Sequence, residues 1–181
     1  MDARFQRKIN QLNDELNLLL DELKNYSQDQ LSAKPRPDAW SVLQVMQHLM
    51  MAEAKSIQYI KKKTSYPEGL KKAGALSGLR PAFLKFFLWL PLKYKAPAIV
   101  NEDHFRENIS LDALSTEWRA SRGELVHFFE NLKPEWKDKE IFRHALAGRM
   151  PPEGMLTFFS DHFARHRKQI DRTLQQVAAK N

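Results

Sequence analysis

Cysteine is missing from all 181 residues. That excludes disulfides, thiolate zinc sites and a cysteine nucleophile, and it fits a reducing, cytoplasmic setting. Long apolar runs are missing too. No stretch of about 20 uncharged apolar residues exists, so no membrane-spanning helix is expected. The start, "MDARFQRKINQLNDELNLLL", is charged throughout and lacks the apolar core of a secretory signal. No segment alternates apolar and polar residues long enough to suggest a sheet. Internal repeats and low-complexity tracts are absent as well.

The sequence is 43% hydrophobic, with 11 Phe and 4 Trp, enough for a real core. Its length suits one domain, residues 1–181. The net charge of +7 is unevenly placed. Residues 61–95 hold nine Lys or Arg and one acid, Glu68; the other residues carry 20 basic and 21 acidic side chains. Basicity is therefore local. With no helix-turn-helix signature and no basic recognition helix, nucleic-acid binding has little support.

Helical periodicity organises the chain. Phe5, Ile9, Leu12, Leu16, Leu19 and Leu23 predict a helix over 2–25, broken by Pro35 and Pro37. A second helix starts near Ser41, where Ser41 and Gln44 form a capping-box pattern, and runs to Lys61–Lys63. Residues 64–79 read as loop. "RPAFLKFFLWLPLKYK" reads as a shorter helix with Pro81 in its first turn and Pro91 ending or kinking it. Further long helices are expected over 110–132 and 155–178. The expected fold is all-α: a four-helix bundle whose one long crossover carries a short extra helix.

On a helical wheel, Glu53 falls near the apolar centre of the second helix and His48 on the border of its stripe. On the last helix, His162 and His166 lie about 20° either side of the centre, with Gln169 beside them. Two inward imidazoles four residues apart have two readings. Each hydrogen-bonds to a carbonyl or carboxylate within the core, or both ligate one metal.

"WSVLQVMQHLMMAE" (40–53), "HALAG" (144–148) and "HFARHRKQI" (162–170), in that order, resemble the DinB/YfiT-like family along nearly the whole chain. Ala145 replaces the family's frequent proline after the histidine of the middle motif. The resemblance implies a four-helix bundle and a divalent metal, typically nickel or zinc, held by His48, His162 and His166. It also implies a hydrolase or a thiol-dependent transferase; some relatives are maleylpyruvate isomerases or use bacillithiol or mycothiol. With no cysteine in the chain, a thiol would be an external small molecule. Glu53 is then an acceptor behind the metal or a proton shuttle, or else a core carboxylate paired with an Arg. Gln169 would position a ligand or a histidine. The alternative is a non-enzymatic binding or stress-related module with a structural metal or none.

The basic crossover has several readings: a membrane-surface segment over 79–95, an attractor of an anionic cosubstrate, or a structural element that covers the bundle or else forms half of a homodimer interface.

Overall fold

A computed structural model describes residues 1–66, 68–89 and 100–180, leaving aside several side chains within 75–89. The long helices are α1 (Ala3–Leu23), α3 (Val42–Ser65), α5 (Leu111–Glu130) and α6 (Pro152–Ala178). Between them lie α2 (Gln28–Ser32), α4 (Ala75–Trp89) in the crossover, and a hairpin of β1 (Phe142–His144) and β2 (Gly148–Met150). α1 and α3 each pack against both α5 and α6, while α4 lies along α6 and against β2. The expected all-α bundle with a helix-bearing crossover is what the chain forms. Among the described residues no helix is long and apolar enough to cross a membrane.

Local chemistry sets the helix ends. Ser41 and Gln44 make both capping-box hydrogen bonds, fixing where α3 begins. Lys62 and Lys63 sit in its last turn, where positive charge suits the carbonyl end of the dipole. α6 begins at Pro152, earlier than the expected 155, because proline is preorganised for the first helical position.

Three local expectations need correction. Helix α4 begins at Ala75, inside the segment read as loop, so Pro81 stands within the helix and not in its first turn. Ser77 starts it: both its amide and its hydroxyl bond back to the Gly74 carbonyl. The five-residue α2 has no counterpart in the periodicity; a second capping box, Ser27 with Gln30, creates it. The hairpin pairs only three residues per strand, too few to show alternation. Gly148, at φ 77°, adopts the left-handed backbone needed to close it. Pro91, Lys93 and Lys95 lie outside the described residues.

The core divides into two apolar clusters. One gathers Phe5, Ile9 and Leu12 with Ile57, Ile60, Leu125, Phe129, Phe159 and the hairpin's Phe142 and Met150. The other gathers Leu16–Leu23 residues with Val42–Leu49 residues, Leu114, Trp118, Phe163 and Ile170. Each long helix crosses the boundary with a polar residue: Asn13, Glu53, Arg122 and His162. The bundle thus has a polar waist.

One side of the waist is a closed ion pair. Glu53 and Arg122 are only 2% and 3% exposed. Arg122 donates from Nε to Glu53 Oε2 at 2.6 Å and from Nη2 to Oε1 at 2.7 Å. Trp118 Nε1 donates to Oε2 at 2.8 Å, and Arg122 Nη1 reaches Asn13 Oδ1 at 3.4 Å. The fork geometry satisfies both charges and ties α3 to α5. Removing one partner strands the other in a dry interior. Arg122→Leu is therefore expected to destabilise the fold by about 3–5 kcal/mol, and Glu53→Leu in the same chain to recover much of that loss. Urea denaturation of both variants checks it; a double variant no more stable than the single would contradict the pairing.

Candidate metal centre

The other side of the waist collects imidazoles. His48 comes from the second turn of α3, and His162 and His166 from the middle of α6. One ligand-capable nitrogen from each lies within 4.8 Å of the others. The rings approach pairwise, with centroids 4.6–5.1 Å apart and planes 60–90° apart. Rings that stack for packing alone need not aim nitrogens at one point; these do.

Hydrogen bonds on the far side of two rings fix which nitrogen points inward. His48 Nδ1 donates to the Val100 carbonyl at 2.8 Å. His166 Nδ1 donates to Gln169 Oε1 at 2.9 Å. In a neutral imidazole with its proton on Nδ1, Nε2 keeps a bare lone pair. His48 Nε2 lies 3.2 Å from His162 Nε2. Two ligands on one metal, each about 2.0–2.1 Å from it, lie about 3.0–3.4 Å apart at angles near 90–109°. The spacing and the tautomers both fit a divalent cation, and outward N–H donation to a carbonyl or amide is how ligating histidines are usually oriented.

Electrostatics keep the set neutral. Burial holds the His48 imidazole below its ordinary range against the opposing pull of the Val100 carbonyl. His162 is pushed well below it, first by burial and then by His166, His48, His144 and Arg165. His166, shielded at its ring although the residue keeps some exposure, is pushed down to about 3 by burial and by His48. Neutral imidazole is the form that binds metal.

The walls are aromatic. Phe158 stacks on His162 (5.1 Å, 21°), and Trp40 lies 5.2 Å from His48. Trp40 also donates to Glu102 Oε2 at 3.2 Å, and Gln47 accepts from the Arg106 amide and donates to its carbonyl. These three α3-end contacts pin residues 100–106, and so place the Val100 carbonyl behind His48.

The chain matches the family model of the DinB superfamily over residues 11–170. The chain belongs to the DinB superfamily. No curated protein and no solved structure matches it. Of the residues singled out in the sequence, His48, His162 and His166 converge, and Gln169 bonds His166. Glu53 instead has both carboxylate oxygens engaged by Arg122 and Trp118. His104 and His127 are exposed, away from this cluster. Sequence reasoning missed Val100 and Arg122. A backbone carbonyl carries no sequence signal, but an arginine among the apolar positions of α5 was readable.

The lowered imidazole pKa values set a pH dependence for the metal-free DinB protein. Unfolded histidines take up protons below about pH 6.5, while the folded ones resist until far lower, near 3 for His166. The unfolded state then binds more protons, so stability falls as pH drops through that window. Each buried histidine contributes a slope approaching about 1.4 kcal/mol per pH unit. Denaturation midpoints at pH 7, 6 and 5 should decline, and His166→Phe should flatten the decline; a flat wild-type profile would count against neutral burial.

Proposed function

We propose that this DinB protein is a metal-dependent enzyme of hydrolase or thiol-dependent S-transferase type, with nickel or zinc held by His48, His162 and His166. The observation that carries the reading is the convergence of three histidine nitrogens, two with their far-side N–H already committed. Three protein ligands leave at least one position for an outside ligand, as in catalytic zinc sites.

A divalent cation there would act as a Lewis acid, polarising a substrate carbonyl or lowering the pKa of bound water or thiol. The chain's own residues do the rest. The Val100 carbonyl and Gln169 hold His48 and His166 in the ligating tautomer. Phe158 and Trp40 form apolar walls against two of the rings. Because the chain has no cysteine, a thiol cosubstrate would be an external small molecule.

One observation favours a second reading, a binding module with a structural metal. The acid at the waist, Glu53, is locked to Arg122, and no carboxylate joins the histidine cluster among the described residues. An enzyme here would need its acid–base group from substrate, water or another residue.

Elemental analysis of the purified protein should find close to one nickel or zinc per chain. At a hundredfold excess over Kd the metal adds about 2.7 kcal/mol, a rise of about 5–10 °C in Tm for a chain of this size. His162→Ala should abolish both while circular dichroism stays helical. A metal-free protein whose Tm ignores nickel and zinc would sink both readings. Turnover of esters or thiol–electrophile pairs that is lost in His162→Ala would select the enzyme.

A further inference from the structure

A fourth histidine stands beside the cluster with the opposite proton arrangement. His144 ends β1 and pairs across the hairpin with Gly148. Its Nδ1 accepts two backbone hydrogen bonds, from Leu146 N at 3.2 Å and Ala147 N at 3.3 Å. A nitrogen that accepts carries no proton, so the neutral ring must carry its proton on Nε2. Burial pushes this imidazole down to about 4, which keeps it neutral at ordinary pH. The metal-cluster histidines His48 and His166 bear theirs on Nδ1; His144 is fixed as the reverse tautomer, a donor and not a ligand.

Its place is set by Phe158. The His144 ring meets Phe158 at 4.5 Å and 63°, and Phe158 stacks on His162 at 5.1 Å and 21°. One aromatic ring therefore separates His144 from a proposed metal ligand. Among the described residues the Nε2–H of His144 has no hydrogen-bond partner. The turn spends two amides on orienting a donor that none of the described residues uses. The hairpin is held firmly enough for the task. Arg80 of α4 donates to the Arg149 carbonyl, and a Cβ at Gly154 would meet the Met150 side chain at 3.1–3.2 Å, so β2 and α6 are in close contact.

We propose that His144 Nε2–H is a ligand-binding donor of this centre, gripping an acceptor oxygen of a small molecule whose other end occupies the metal's open position. The ligand class is a small carboxylate- or carbonyl-bearing molecule with two separated acceptor groups. The assignment rests on the metal-centre reading above.

The test uses the full chain loaded with Co²⁺, whose visible absorption reports ligands entering the metal's open position. Malonate carries a second carboxylate to reach His144; acetate does not. His144→Phe keeps a ring against Phe158 but removes the donor, and His144→Gln restores an N–H. The expected result is unchanged Co²⁺ affinity in both variants, malonate binding weakened about tenfold or more in His144→Phe, partial recovery in His144→Gln, and little change for acetate. Nitrogen-15 shifts of the wild-type protein should show His144 as the Nε2–H tautomer, with or without metal. Equal malonate affinity in wild type and His144→Phe overturns the donor role while leaving the metal centre standing, as does an Nδ1–H tautomer at His144. Failure of the wild-type chain to bind Co²⁺ overturns the metal-centre reading itself, and the donor role falls with it.

Discussion

The 3.2 Å approach of His48 Nε2 to His162 Nε2, on different helices, is the constraint around which this bundle is organised. With its proton on Nδ1, His48 offers a lone pair at Nε2 that needs a proton or a cation between it and His162, so the arrangement persists only if the helices hold that distance. The fold supplies that rigidity from both directions. Apolar clusters pack above and below the waist, and within it the Glu53–Arg122 fork locks α3 to α5 while α5 and α6 both pack on α1. Sliding α3 along α6 would have to break a buried, doubly hydrogen-bonded ion pair as well as unpack large side chains.

The two halves of the waist solve the same problem differently. Polar groups in a dry interior need partners. On the α5 side the chain provides them outright, with both oxygens of Glu53 taken by Arg122 and Trp118. On the α6 side it provides them on the outer edges of two rings, through Val100 and Gln169, while on the inner edge His48 Nε2 meets only His162 Nε2. A closed network adds rigidity; an open one leaves valence for something from outside. The same layer therefore serves structure on one flank and ligation on the other.

How far the sequence carried depends on the range of the interaction. The four long helices follow from local periodicity, and the start of α3 from Ser41 and Gln44, three residues apart. The wheel placed Glu53 and His162 inward, and both are buried; it placed His48 at the border, and that residue is 5% exposed. His48 sinks further because its partner, Val100, arrives from 52 residues away, in the crossover. The tie that occupies Glu53 spans 69 residues and could not be read from α3 alone. The hairpin escaped notice for a different reason: three-residue strands have too short a period to detect, and Ala145, Leu146 and Ala147 are residues that favour helix. The family motifs bridged the long-range gap for the metal ligands, because they tie positions on α3 and α6 to one site. They did nothing for Arg122, which lies in none of them.

Charge is the last step. Burial favours the neutral form of all three proposed ligands, and neighbouring imidazoles add to it at His162 and His166. The buried acid that could have offset a cation, Glu53, is already offset by Arg122 at 2.6 Å. A divalent cation among these histidines would then keep nearly its full charge within aromatic walls, where screening is weak. Such a centre favours an electron-rich ligand in its open position, and with no cysteine in the chain any sulfur donor would have to come from outside. Neutral donors, a cancelled carboxylate and an oriented His144 N–H that no described residue accepts are three separate features of the chain. Each leaves the negative or acceptor half of the interaction to be supplied by the ligand.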